Sequence, residues 1–323
     1  MPVAPTLTQS EATPAAPSLE AVAALAKAAG DQLRCTVLRV LREESYGVLE
    51  LCQILEIAQP ALSHHLKILH GAGLLARRRE GNSVFYRRAS TSGGLERALL
   101  ERIDSAPVPD ALRQRIDQVH DERRQRSEAF FREHAAEFQI NQARISETAA
   151  YRPGILELID SAGCPGGRAL EIGPGEGGLL EALSRRFDDV EGMDSSRNML
   201  NRAAAAVAGR RNVQLTHGDF MTLTRSAAYQ LVVAAMVVHH LASPPGFFRQ
   251  AARLLSAGGL LVVAELCSHD NEWARQACGD QWLGFEPQEL ASWAENAGLL
   301  PLDSQFLAQK NGFQIQIHSY CKQ

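Results

Sequence analysis

Ala169-Leu170-Glu171-Ile172-Gly173-Pro174-Gly175-Glu176-Gly177-Gly178 runs a short apolar stretch straight into glycines. Glycine lets backbone approach a ligand that a side chain would exclude. A helix opening just beyond offers free N–H groups and the positive end of its dipole. Gly173, Gly175 and Gly178 satisfy G-x-G-x-x-G, which admits a dinucleotide site as well as other nucleoside-like ligands. Downstream, further short apolar runs at Val190–Met193, Val213–Thr216, Leu231–Ala234 and Leu260–Ala264 alternate with helical stretches. That alternation predicts a parallel sheet covered by helices on both faces. Phe313-Gln314-Ile315-Gln316-Ile317-His318 alternates apolar and polar residues instead, which predicts an edge strand exposed on one face.

Acidic residues stand at the ends of the first three runs. Glu171 precedes the glycines. Asp194 closes the second run, twenty-one residues after Gly173, where a carboxylate can accept from both hydroxyls of a ribose. Asp219 and Phe220, in His217-Gly218-Asp219-Phe220, follow the third, where an acid and an aromatic can hold an adenine.

With these residues in place, positions 151–323 resemble a class I S-adenosylmethionine-dependent methyltransferase. The resemblance implies a Rossmann-like seven-stranded sheet with an antiparallel last strand. It also implies S-adenosylmethionine held by Glu171, Gly173, Gly175, Gly177, Asp194, Asp219, Phe220 and Met236. Ala235-Met236-Val237-Val238-His239-His240 borders the methyl site in that family, so His239 or His240 is a candidate base; the alternative is that one packs and the other is solvated. Neither Asn-Pro-Pro-Tyr nor Asp-Pro-Pro-Tyr follows the fourth run, which favours a small-molecule acceptor over DNA amines. Cys267 and Cys278 flank the segment after the fifth run and raise arsenic methylation, but buried inert thiols are the commoner case.

The first third of the chain has a different pattern. Ser18 to Leu41 has helical periodicity, Gly47 interrupts it, and Val48 to Leu55 forms a second helix. Pro60 fits the first turn of a third helix, where its missing N–H costs nothing. Leu62, Leu66 and Leu69 face inward, leaving Ser63, His64 and Lys67 outward, and Gly71 and Gly73 end the helix. Leu74 to Tyr86 reads as two strands around Glu80-Gly81-Asn82. Residues 60–90 carry six basic side chains against Glu80 alone, whereas residues 151–323 carry fourteen basic and eighteen acidic ones within a chain of net charge −4. A basic patch of this kind suits a polyanion.

Residues 18–106 thereby resemble the ArsR family of winged-helix transcriptional repressors, through Gln59–Leu69, Gly71-Ala72-Gly73-Leu74-Leu75 and Phe85-Tyr86-Arg87. The resemblance implies a homodimer on a double-stranded DNA operator, with Gln59, Ser63, His64 and Lys67 toward the groove and Arg77 and Arg79 on phosphates. Metal-sensing members carry Glu-Leu-Cys-x-Cys; here Glu50-Leu51-Cys52-Gln53-Ile54 keeps only the first cysteine, and one thiolate is no soft-metal site. Cys35 could join Cys52 as a thiol pair, but the spacing does not require it, and no metal is assigned.

The remaining segments are a disordered tail over 1–17, rich in Pro, Ala, Thr and Ser, and a charge-rich helical connector over 107–150 that includes Asp110 to Phe138. No apolar run reaches the ~18 residues of a membrane span. Six scattered cysteines without a C-x-x-C pair suit a reducing, cytoplasmic setting. The whole reads as a DNA-binding regulator fused to a methyltransferase for a small acceptor. The alternatives are a non-catalytic sensor of S-adenosylmethionine or S-adenosylhomocysteine that controls a repressor, and a metal- or thiol-responsive repressor.

Overall fold

The computed structural model describes residues 18–80, 83–89, 93–164 and 166–323; the expected tail over 1–17 and the turn residues Gly81 and Asn82 lie outside them. The described residues open with α1 (Leu19–Ala29) and α2 (Gln32–Val40), not with one helix over Ser18–Leu41. Gly30 ends α1, and the Asp31 carboxylate starts α2 by accepting from the Arg34 amide at 2.9 Å. A glycine followed by an Asp cap is a stop and a start in adjacent residues, which apolar periodicity alone does not register.

Next come β1 (Tyr46–Gly47), α3 (Val48–Leu55) and α4 (Gln59–Gly71), with Pro60 in the first turn of α4. Leu62, Leu66 and Leu69 are fully buried, and Gln59, Ser63, His64 and Lys67 are exposed on the opposite side. The hairpin β2 (Leu75–Glu80) and β3 (Ser83–Arg88) follows, and β1 joins it in the order β1-β3-β2. Nothing in the residue pattern marks β1, because two residues carry no periodicity.

After α5 (Gly94–Asp104), the long helix α6 (Asp110–Ile145) crosses the molecule, with a non-helical residue at His134. Leu112 and Val119 near its start belong to the N-terminal core, and Phe138 and Ile145 near its end belong to the core of the large sheet.

The large sheet begins after α7 (Thr148–Ser161). Its strands and helices are β4 (Arg168–Ile172), α8 (Gly178–Leu183), β5 (Asp189–Asp194), α9 (Arg197–Ala206), β6 (Val213–His217), β7 (Tyr229–Ala235), α10 (Pro244–Leu254), β8 (Leu255–Leu266), α11 (Glu272–Cys278), α12 (Pro287–Asn296), β9 (Leu299–Ala308) and β10 (Gln314–Lys322). The strand order is β6-β5-β4-β7-β8-β10-β9, parallel from β6 to β8, with β10 antiparallel to both its neighbours. Alternate residues of the strands feed two apolar layers. Leu231 and Val233 pack under α7, α8 and α9; Val232 and Ala234 pack under α10 and α12.

The expected edge strand is corrected: β10 lies inside the sheet and β9 takes the edge. Its alternation misleads because Gln316 is fully buried, where its carboxamide donates to the Leu266 and Phe285 carbonyls at 3.3 and 2.7 Å. A polar residue satisfied inside a sheet carries the same sequence signature as one facing water.

The two faces of α4 make opposite demands on stability. Leu66→Ala should cost about 2–5 kcal/mol in urea unfolding, through lost burial and the cavity left behind. Lys67→Ala, one residue on, should stay within about 0.5 kcal/mol.

Candidate functional site

Strand order reverses at β4, which sends one branch through β5 and β6 and the other through β7 and β8. A crevice opens at such a point, beyond the carboxyl ends of the strands. Here it is a cavity of about 730 Å³ lined by Glu171, Gly173, Gly175, Asp194, Asp219, Phe220, Met236 and His240, among others. Eight of the ten expected donor-binding and base residues thus converge on one space.

The loop after β4 is held in a conformation that suits glycine. Gly175 has φ +55°, and a Cβ there would meet nothing within 4 Å, so the backbone faces open space. Gly177 is corrected to a packing role. It does not line the cavity; a Cβ on it would come 2.8 Å from the Ala203 carbonyl, so it lets α8 sit close to α9.

The acids surround the loop. Glu171 is buried, and one carboxylate oxygen has no hydrogen-bond partner in the described structure. Burial pushes its carboxyl well above the usual range. Asp194 accepts from the Ser196 amide at 2.7 Å, yet burial raises it to about 6. Asp219 caps a short turn by accepting from the Met221 amide at 2.8 Å. Phe220 reaches the cavity wall, but most of its ring is buried against Phe247, with centroids 5.4 Å apart.

The two candidate bases separate. His239 is fully buried and absent from the cavity wall, which corrects its reading as a base. Its Nδ1 donates to Glu265 at 2.6 Å, and its Nε2 lies 3.8 Å from Asp280. Burial alone would depress this imidazole, but the charges of Glu265 and Asp280 overcome it and push it up to about 9. His240 does line the cavity. Its Nδ1 faces the Gly279 carbonyl at 3.4 Å, which can only accept, so Nε2 carries the lone pair. Burial and the neighbouring His239 charge hold His240 well below the ordinary histidine value, and so neutral. Phe131 and Phe138 of α6 meet its ring edge-on, at 5.0 and 5.8 Å.

Sequence reasoning missed Glu265, in β8. Its carboxylate accepts from the Val237 and Val238 amides at 2.9 and 2.6 Å as well as from His239. This fixes the turn in which Met236 adopts φ +58°, a left-handed conformation that costs a non-glycine residue roughly 1–2 kcal/mol. Possible ligand atoms of His239, His240 and Asp280 lie within 4.8 Å of one another, the one such group among the described residues. The cysteine pair gains no support as a thiolate site: burial raises both thiols, Cys35 donates to the Ala29 carbonyl at 3.2 Å, and Ile54 is core.

The hairpin β2–β3 has two unlike sides. Arg77 and Arg79 are exposed. Their neighbours turn the other way. Arg78 and Arg87 both pair with Glu289 at 3.1 Å, and buried Glu80 binds Arg78, Arg275 at 2.7 Å and the Leu283 amide at 3.0 Å. Phe85 packs edge-on against Trp282 at 5.3 Å. Glu80 is more than the first residue of a turn signal; it is an anchor between the hairpin and the sheet.

Comparisons with known proteins agree with this architecture. The family described as "Methyltransferase domain" matches residues 107–303, and the family "Bacterial regulatory protein, arsR family" matches residues 31–77. A ubiquinone biosynthesis O-methyltransferase of Coxiella burnetii (strain Dugway 5J108-111) is 25% identical over 153 residues, which cover 43% of this chain and 65% of that protein. The corresponding enzyme of Caulobacter sp. (strain K31) is 31% identical over 103 residues, 31% of this chain and 40% of its own length. The chain therefore spans less than two thirds of these relatives. Among solved structures, the 1,6-didemethyltoxoflavin-N1-methyltransferase of Burkholderia thailandensis matches with a TM-score of 0.52 at 17% identity, covering 68% of this chain and 92% of that one.

The His239–Glu265 pair gives stability a pH dependence. Because the folded value lies above the 6.5 of a free imidazole, the contribution is complete below about pH 6.5 and is lost as pH rises through about 9. NMR titration should place the His239 ring near 9, and Glu265→Gln should bring its midpoint below about 8. An unchanged midpoint would show that Glu265 does not set it.

Proposed function

Since this chain belongs to the methyltransferase domain family and carries an arsR-type DNA-binding segment, we propose that it is a transcriptional regulator fused to an S-adenosylmethionine-dependent methyltransferase for a small acceptor. The observation that carries this reading is the convergence of Glu171, Asp194 and Asp219, from the ends of three adjacent strands, on one cavity beside an open glycine turn.

The residues present fit the donor. The unpartnered Glu171 oxygen suits the methionine ammonium, Asp194 suits the ribose hydroxyls, and Asp219 with the edge of Phe220 suits the adenine. Bound there, the donor supplies an electrophilic methyl group on a sulfonium. The protein contributes alignment, since in-line displacement depends on holding nucleophile and methyl in register. His240 contributes a neutral imidazole to the cavity wall, and its Nε2, buried and without a hydrogen-bond partner among the described residues, is the candidate proton acceptor for a hydroxyl or amine nucleophile. Phe131 and Phe138 supply an apolar wall from α6. The curated relatives named as O-methyltransferases support a hydroxyl acceptor.

On the DNA side, α4 lies across a major groove with Gln59, Ser63, His64 and Lys67 facing it, and Arg77 and Arg79 meet phosphates. A homodimer places two such helices on two half-sites. We place the reader at 18–106, the connector at 107–150 and the methyltransferase at 151–323. A second reading, in which the donor-site ligand mainly controls DNA binding, is favoured by the ion pairs that join the hairpin to the sheet.

Two measurements check these assignments. Gly175→Arg fills the open face of the loop and should abolish S-adenosylhomocysteine binding in calorimetry, with far-ultraviolet circular dichroism unchanged; retained affinity would remove the donor site. Lys67→Ala should weaken duplex binding and reduce the salt slope by about one. A wild-type slope near zero would end the DNA assignment.

A further inference from the structure

One helix serves both the cavity and the DNA-reading face. In α6, Ser127, Phe131 and Phe138 line the cavity. One turn before Ser127, Arg123 is buried at the seam, 3% exposed. Its guanidinium forks onto Glu50 at 2.8 and 2.6 Å, donates to the Ser45 carbonyl at 2.9 Å and donates to the Ala242 carbonyl at 2.9 Å. It also lies over the rings of Tyr46 and Trp282, at 5.1 and 4.9 Å.

Each end of this joint leads to a candidate ligand face. Glu50 lies in α3, which packs on α4. Ala242 lies two residues beyond His240. The His240 carbonyl receives Ser127 Oγ at 3.3 Å and Gln281 Nε2 at 2.8 Å, and the same amide nitrogen reaches the Arg123 carbonyl at 3.2 Å. A buried guanidinium with four of its five N–H groups engaged and aromatic rings against it has little freedom. A shift of α3 must break the Glu50 fork or move the segment that carries His240.

We propose that Arg123 is a positioning residue for the His240 wall of the cavity, and the joint through which the cavity and the DNA-reading face of α4 sense each other's occupancy. The proposal rests on the donor-site and DNA readings above and names the residue that links them. Arg123 faces neither ligand. It acts because both ligands bias the geometry of one over-determined contact, and linkage makes the effect reciprocal. Arg115 provides the contrast. It ties α6 to the end of α3 through the Ile54 carbonyl at 2.6 Å and Glu56 at 3.1 Å, and its hydrogen bonds and ion pairs stay within α6 and the reader.

The test is calorimetry of S-adenosylhomocysteine on the full chain, with and without saturating duplex enriched by the protein from a randomised pool. In the wild type, duplex should shift the ligand's affinity by about fivefold or more. Arg123→Gln should bring the shift below about twofold while the protein still binds both ligands. Glu50→Gln breaks the same joint from the reader side, keeps the helix cap, and should do the same if Arg123→Gln does not fold. Arg115→Gln should keep the wild-type shift, which a general loosening of the seam would not. The inference is overturned if the wild type binds both ligands with no shift, if the joint variants retain the shift, or if Arg115→Gln loses it equally. Failure of the wild type to bind S-adenosylhomocysteine at all would instead sink the donor reading, and failure to enrich any duplex would sink the DNA reading.

Discussion

A carboxylate at the end of β8 holds the working part of this molecule in shape. Glu265 is fully buried and takes two backbone amides and one imidazole from the turn after β7. A carboxylate so far from water is tolerated only where donors surround it. With Val237 and Val238 pinned, Met236 keeps its left-handed backbone and His240 is carried to the cavity wall. The glycine turn depends on the same region, because a Cβ on Gly173 would strike the Val237 side chain at 2.5 Å. The chemistry of the cavity thus rests on a group that takes no part in it.

The hairpin applies the simplest rule of strand geometry to two partners at once. Successive side chains of a strand point to opposite faces. Arg77 and Arg79 fall on the face left open, and Arg78 and Glu80 on the face that meets the sheet. One run of three arginines therefore divides between solvent and a network of buried acids. The same division explains why a basic patch can sit beside an acidic unit: Glu289 and Glu80 neutralise the inward arginines and leave the outward ones exposed.

Most of the architecture was legible because it follows from periodicity and glycine placement. The five parallel strands, α4 with its buried leucines, and the acids at the strand ends all appear where residue spacing puts them. What escaped depended on partners distant in sequence. Gln316 has the sequence pattern of a solvent-facing residue, yet two interior carbonyls accept from it. Glu80 has the look of a turn residue in sequence, and its partners Arg275 and Leu283 lie 195 and 203 residues away. His239 and His240 could not be separated in sequence, because what distinguishes these neighbours is that His239 reaches Glu265 while His240 lines the cavity. Glu265 and Arg123 carried no local mark at all. A lone acid in an apolar strand and one arginine among many in a charged helix become informative only through what they touch.

The long helix has a consequence for how the polypeptide can be divided. Its first turns complete the apolar interior of the N-terminal part, and its last turns complete that of the sheet. A cut anywhere between Leu112 and Phe138 would leave at least one fragment with an uncovered greasy flank. The two halves should therefore melt together as one cooperative block rather than in sequence. Grafting a foreign reader onto this sheet would fail unless the donor brought its own matching length of helix, so the modules are not freely interchangeable even though each belongs to a widespread type.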